Sequence, residues 1–213
     1  VSESAQTETK RRVVKPAEER RREILEAALD LFSTKGFDET TVQDIASAAG
    51  VAIGTVYLYF ASKEHVLLGL YDDFNAGMHE GFHSVFQTVA DKRTRGEDVP
   101  DGYVIDSILD IEVAYCVANR KALEVIARYT PRPEIAREAL ARDRRFVESM
   151  ADSFMKGMVK GSLHTSDAEM TAYLLSAAVS TTLTNSIVYG EPADLDRLVT
   201  QAKELFRKAL APA

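Results

Sequence analysis

The stretch Thr41 to Lys63, TVQDIASAAGVAIGTVYLYFASK, leaves this chain few ways to fold. Val42, Ile45 and Ala46 recur at i, i+3 and i+4, which places them on one face of a short helix. Thr40 or Thr41 supplies the cap oxygen, and Thr40 with Gln43 has capping-box spacing. Gly50 falls where that helix must stop and can take the left-handed conformation of a sharp turn. Val51 then buries against the first helix, and Ala52 to Tyr59 form a second one with Val56 facing inward. Ala46 is small enough for the two helices to cross closely, so the spacing is that of a helix-turn-helix. Such a pair is either a structural corner or a DNA reader whose second helix enters a major groove. Spacing alone does not separate the two.

The surrounding residues do. The run TVQDIASAAGVAIGTVYLYFASKEHVLL, preceded by ILEAALDLFSTKGFDETT, resembles the N-terminal domain of the TetR family of bacterial transcriptional regulators. The resemblance covers Ile24 to about Leu70. It is carried by Ile45-Ala46, Ala49-Gly50-Val51, Gly54-Thr55-Val56-Tyr57, Tyr59-Phe60 and Lys63-Glu64. Beyond Leu70 nothing matches residue by residue, as expected where C-terminal domains share architecture and not sequence. The resemblance implies base contacts from Ala52, Ile53, Gly54 and Thr55, and phosphate contacts from Tyr57, Tyr59 and Lys63. Thr41, with the amides opening its helix, adds a further phosphate site. Tyr59 reads equally well as a packing aromatic.

Charge is compatible with this. The net charge of −7 argues against a protein that coats nucleic acid by bulk attraction. Yet Lys10 to Arg22 holds seven Lys/Arg and two Glu, a local +5, and phosphate contacts need only a local patch. Residues 1–16 read as a disordered basic arm, of which Lys10, Arg11, Arg12 and Lys15 lean toward DNA. Residues 17–62 read as the DNA-binding domain and 63–213 as a ligand-binding and dimerisation domain. Cys116 is the one cysteine, so no intrachain disulfide forms. No secretory signal pattern is visible, and the expected location is the bacterial cytoplasm.

The rest of the chain reads as helices, about nine in all, with no strand and no repeat. Pro16 opens the first, whose stripe Ile24, Leu25, Ala28, Leu31 and Phe32 runs to Gly36. Ser62 caps a fourth helix carrying Val66, Leu67, Leu70, Phe74, Met78, Phe82, Val85, Phe86 and Val89, on the order of 40 Å long. That helix leaves the first domain and enters the second, as a lever would. Gly69, Gly77 and Gly81 inside it mark a bend or a cavity wall. Helices follow over about 104–118 and 120–129. Another runs from Glu134 to about Val159, with Ile135, Leu140, Phe146, Met150, Phe154 and Met158 on its apolar side. Ser166 and Glu169 have capping-box spacing, Gly190-Glu191-Pro192 stops the helix they open, and Asp194 caps the last one.

Met170 to Gly190 carries no charge. Its Thr, Ser and Asn content is too polar for a lipid-facing span, so no membrane partner is expected. A helix uncharged all round is buried on both sides. One side faces its own core and the other a second copy of the chain. The resemblance likewise implies a homodimer joined through a four-helix bundle. Ala178, Leu198, Ala202, Leu205 and Phe206 are the dimer candidates.

His79-Glu80-Gly81-Phe82-His83 fits the H-E-x-x-H pattern of zinc proteases, with both imidazoles on one helix face. Phe86 and Val89 stand where an extended zinc motif places Gly and His, and no strands exist to build a protease cleft. A metalloenzyme using His79 and His83 is therefore the remote alternative, and a pair of partly buried histidines bonded to polar neighbours the preferred reading. No nucleophile elbow, P-loop or dinucleotide glycine run occurs. Neither an enzyme nor a cofactor is expected.

Large side chains in the C-terminal helices suggest an effector cavity: Phe82, Phe86, Tyr115, Phe146, Met150 and Phe154. Glu112 falls on the apolar stripe Ile105, Ile108, Leu109, Cys116, where a carboxylate is costly unless paired. His83, Glu112 or Asn185 would hold the polar end of a small hydrophobic molecule. The resulting expectation is a homodimeric repressor released from a palindromic double-stranded operator by that effector. An activator, or a ligand-independent regulator, on the same scaffold is the alternative.

Overall fold

Each helix starts and stops where its sequence supplies the chemistry. The computed structural model describes residues 16–100, 102–159, 167–191 and 194–210, without the side chains of 153, 154, 156–159 and 168. The arm over residues 1–15, the Ser166 cap and the Phe154 side chain therefore lie outside the described residues. Among these residues the chain is all helical: α1 Ala17–Thr34, α2 Val42–Ala48, α3 Ile53–Tyr59, α4 Lys63–Thr94, α5 Tyr103–Ala118, α6 Arg120–Tyr129, α7 Pro133–Val159, α8 Ala168–Thr184 and α9 Leu195–Leu210. A short π-helical segment, Asn185–Tyr189, prolongs α8 and ends at Gly190.

The cap of α2 differs from the Thr40–Gln43 expectation. Thr41 Oγ1 accepts the Asp44 amide at 3.1 Å, and the Asp44 carboxylate accepts the Thr41 amide at 2.9 Å. Thr40 is buried and spends its hydroxyl on the Gly36 carbonyl at 2.6 Å, so it cannot also cap. The end of α2 is as expected. Gly50 takes φ +65°, its amide donates to Ser47 at 3.2 Å, and the Val51 amide donates to Ala46 at 2.9 Å. These paired bonds form a Schellman turn, whose positive φ glycine takes with the least strain. Asp167 caps α8 through the Met170 amide, and Asp194 caps α9 as expected.

Two apolar cores result. The first joins α1, α2 and α3 around Ile24, Phe32, Ile45 and Val56. It continues past residue 62 through Val66–Leu70 of α4, and it takes in Val125 and Tyr129 of α6 and Ile135 of α7. The second fills the space among α4, α5, α7, α8 and α9, around Met78, Phe82, Ile105, Leu109, Val147 and Leu183. With its 32 residues, α4 spans roughly 48 Å and belongs to both. One expected core position in α7 is reversed: Leu140 is 68% exposed, while Ala139 and Val147 take the inward face.

The glycines of α4 turn out to be seats. A Cβ on Gly77 would lie 2.2 Å from the Tyr115 hydroxyl, and one on Gly81 would lie 2.6 Å from Ile111 Cγ2. Tyr115 and Ile111 are one turn apart on α5, as Gly77 and Gly81 are on α4. The bare backbone thus lets α5 lie close against α4, and Phe74 meets the Tyr115 ring edge-on at 5.1 Å. Gly77→Ala should cost about 1–3 kcal/mol by overpacking, outweighing the roughly 1 kcal/mol that alanine gains in helix propensity. Gly54→Ala, which meets nothing within 4 Å, should not destabilise. Urea unfolding of both variants at one protein concentration checks the contrast.

Candidate nucleic-acid interface and effector cavity

The second helix of the turn presents a defined outer face. Val56 and Phe60 are buried, which fixes the rotation of α3. Gly54, Tyr57 and Leu58 then face outward, Tyr57 at 52% and Leu58 at 83% exposure. Ala52 and Ile53 open the helix and are exposed, while Thr55 and Tyr59 are half-buried on its flanks. Tyr59 packs toward the first core with its ring 6.5 Å from Phe60, which favours its packing role. Leu58 was not among the expected contacts. Its apolar side chain looks like a core residue until the helix rotation is known.

Two expected phosphate contacts are engaged within the protein. Lys63 Nζ donates to the Phe37 carbonyl at 2.6 Å and to the Asp38 carbonyl at 3.1 Å. An ammonium has three donors, so one is left for a phosphate. At Thr41, the reciprocal bonds with Asp44 place a carboxylate over the start of α2. Its neighbour Lys35, with the Thr41 bonds, holds Asp44 down at about 2, so it stays ionised and opposes an anion there. Arg20, Arg21 and Arg22 are likewise paired with acidic side chains.

Phe37 joins the two halves of the molecule. The Lys63 ammonium lies 4.5 Å from the ring centroid and the Arg132 guanidinium 5.3 Å. Arg132 also pairs bidentately with Asp38 at 2.6 and 2.7 Å and lies 5.1 Å from the Tyr129 ring. The corner between α6 and α7 is thereby clamped onto the turn between α1 and α2. Lys121 of α6 pairs with Asp30 of α1 beside it. No short motif announces this joint, because its members come from four separate stretches.

The second core encloses a cavity of about 20 Å³, lined by Phe82, Glu112, Phe146, Met150, Ser180 and Phe206 among others. That is room for roughly one water molecule. Glu112 is 6% exposed, and Ser180 Oγ donates to its Oε1 at 2.8 Å. Burial pushes this carboxyl up from 4.5 to about 7, against the opposing effect of Ser180. Cys116, one turn on, is pushed up to about 12, by burial first and the Glu112 charge second, so it is an unreactive packed thiol.

Of the expected cavity residues, Phe82, Glu112, Phe146 and Met150 do converge. Tyr115 does not, because its ring is seated against Gly77. Phe86 is half-buried against the same core and off the cavity wall. His83 is exposed and bonded to Gln87 at 3.1 Å. Asn185 is exposed on the π-helical segment, in a separate open groove between α6 and α8. His79 is half-buried and bonds Ser149 at 2.6 Å, so both histidines have the expected polar partners, but only His79 has the expected burial. Ser180 is the anchor that sequence reasoning missed.

The dimer candidates divide in the same way. Ala178 and Leu205 face outward, Leu205 at 63% exposure. Leu198, Ala202 and Phe206 pack against the chain's own core instead. The reason is that α9 lies on α5, tied by Arg207 to Asp106 at 2.7 Å and by Lys203 to Asp110. On α8, Ala172, Leu175, Val179 and Leu183 face inward, whereas Tyr173, Leu174 and Ala178 are open. No helix among the described residues is long and apolar enough to cross a membrane.

Known proteins share both halves. Residues 24–70 match the family described as bacterial regulatory proteins, tetR family, and residues 120–209 match the C-terminal domain of AefR-like transcriptional repressors. The HTH-type transcriptional regulator BetI of Cronobacter sakazakii is 22% identical over 91% of this chain and 92% of its own. The HTH-type transcriptional repressor KstR2 of Rhodococcus jostii is 36% identical over 48% of this chain and 54% of its own. The crystal structure of the transcriptional regulator FadR from Bacillus subtilis in complex with stearoyl-CoA superposes with a TM-score of 0.66 at 19% identity, over 87% of this chain and 96% of that one.

The Glu112 carboxyl makes stability depend on pH in a known direction. Its folded-state value lies above its ordinary one, so the folded chain binds more protons than the unfolded chain between 4.5 and about 7. Stability therefore falls as pH rises through that window and levels off above it. Glu112→Gln keeps the shape without the charge. It should match the wild type at pH 4.5 and exceed it by up to roughly 3 kcal/mol at pH 8, as read from denaturant unfolding at the two pH values.

Proposed function

The chain belongs to the TetR family of bacterial regulatory proteins, and on that premise we propose that this DNA-binding transcriptional regulator is a homodimeric repressor, released from a palindromic operator by a small hydrophobic effector. Repression is favoured over activation by the descriptions of the C-terminal match and of KstR2, both of repressors. The observation that carries the reading is the continuity of α4. Its first turns are core to the DNA-binding domain, and Phe82 in its middle forms part of the cavity wall.

The reading helix offers Gly54, Tyr57 and Leu58 to the major groove, with Ala52, Ile53 and Thr55 at its margins. Phosphate contacts come from Tyr57, from the third N–H of Lys63 and from the basic residues 10–15. Two such helices must meet successive major grooves about 34–36 Å apart. The open faces of α8 and α9, with Tyr173, Leu174, Ala178 and Leu205 on them, supply the apolar surface for the second copy.

The cavity of about 20 Å³ is far below the roughly 300 Å³ of an ordinary small-molecule site. An effector therefore has to spread the helices around it, and it binds the spread state better than the closed one. Spreading moves α4, and the Phe37 clamp carries movement at the α6–α7 corner to the base of the reading pair. DNA must weaken effector binding by the factor by which effector weakens DNA binding. The FadR neighbour was solved with stearoyl-CoA; for this chain the effector's chemistry follows from its own cavity wall.

An operator selected from random duplexes should be an inverted repeat. Fluorescence anisotropy on it should find Tyr57→Ala weakened about tenfold or more, which is about 1.4 kcal/mol. Wild-type affinity in this variant would mean that the reading face is misassigned. The clamp gives a separate expectation. Arg132→Ala should lower operator affinity although Arg132 is remote from α3, and Arg132→Lys should not restore it, because lysine can neither pair bidentately nor stack. Full rescue by lysine would reduce the clamp to a simple charge pair.

A further inference from the structure

The cavity wall says more than that its occupant is apolar. Glu112 is its one ionisable member among the described residues; neither Lys, Arg nor His lines it. Phe82, Phe146 and Phe206 border the same space, the first two with ring centroids 6.2 Å apart. Ser180 spends its hydroxyl on Glu112 Oε1 at 2.8 Å, and among the described residues no other side chain bonds this carboxyl. The second oxygen receives no side-chain bond among the described residues, and the carboxyl borders the cavity. A buried carboxylate is stabilised by a counter-charge far more than by apolar surroundings. Aromatic rings attract cations through their electron-rich faces and do nothing comparable for anions. An anionic head group would meet a carboxyl of like charge with no cation to receive it.

We propose that this cavity takes a hydrophobic amine in its protonated form, with the ammonium between the second Glu112 oxygen and the rings of Phe82, Phe146 and Phe206. This rests on the effector-cavity reading above and adds the charge of the effector's head. The apolar body lies against Ile108, Met150 and Val179 of the same wall. Seating the ammonium favours the ionised carboxyl. Burial holds much of Glu112 protonated near neutrality, so binding of the amine releases a proton.

Three probes with one body and different heads test this on the full-length protein: 4-phenylbutylamine, 4-phenylbutanol and 4-phenylbutyrate, by titration calorimetry at pH 6.5. The amine should bind wild type at least tenfold more tightly than the alcohol, and the carboxylate more weakly than the alcohol. Titration in buffers of different ionisation enthalpy should show proton release with the amine alone. Glu112→Gln should abolish the preference, with its helical fold checked independently by circular dichroism. Ser180→Ala, which keeps the carboxyl, should retain the preference. Carboxylate binding as tight as the amine's overturns the proposal, and so does a preference that survives in Glu112→Gln. Equal binding of all three heads keeps the cavity as an effector site and overturns the cation assignment. Failure of all three to bind at millimolar concentration overturns the effector-cavity reading itself, and this proposal with it.

Discussion

The Phe37 ring is where the molecule's two halves depend on each other. Lys63 at the start of α4 and Arg132 at the α6–α7 corner both engage it, and Phe32 and Tyr129 pack beside it as tilted rings with centroids 5.1 and 5.5 Å away. An isolated surface pair such as Arg132–Asp38 contributes little by itself. Here the pair is one part of a set that shares a single aromatic seat. Geometry, more than pair energy, is what this arrangement supplies. The turn before α2 is held from two directions, so the reading pair has one position relative to α4 and α6.

The second half is organised around a different constraint, a carboxyl buried with a single hydroxyl for company. A core that kept only packing would have a leucine at position 112. Retaining Glu112 makes the folded chain less stable at neutral pH than an apolar residue would, in the same place where the helices leave space. Strain of this kind, left beside a cavity, is a common mark of a binding site. The histidines of the H-E-x-x-H pattern carry no such strain, since each has an ordinary polar partner.

What the sequence made legible was local. Helix ends set by Gly50, Ser62, Gly190 and Asp194 could be read from residue type, because caps and turns are short-range chemistry. The helix-turn-helix and its family resemblance followed from the same short range. Rotation of a helix about its own axis was harder to read. Leu58, Leu140 and Phe206 are apolar and sit at plausible core spacings, yet the first two face outward and Phe206 faces its own cavity rather than a partner. Only the neighbouring helices decide that. Tyr115 was lost to the cavity for the same reason: its partner is Gly77, about 38 positions away on another helix. Ser180 and Arg132 were invisible because a hydroxyl or a guanidinium means little until its acceptor is placed beside it.

The ring-in-notch contact between Tyr115 and Gly77 has a mechanical corollary. Two helices that touch only through flexible side chains can slide past each other, whereas a rigid ring lodged against bare backbone behaves like a tooth in a gear. Helices α4 and α5 are consequently a single plate. Opening the space beside Glu112 then resembles opening a book, with that plate as one cover and α7–α8 as the other. Under the release mechanism proposed above, the Arg132 contacts to Phe37 and Asp38 would carry a small change in the angle between the covers to the base of the reading helices.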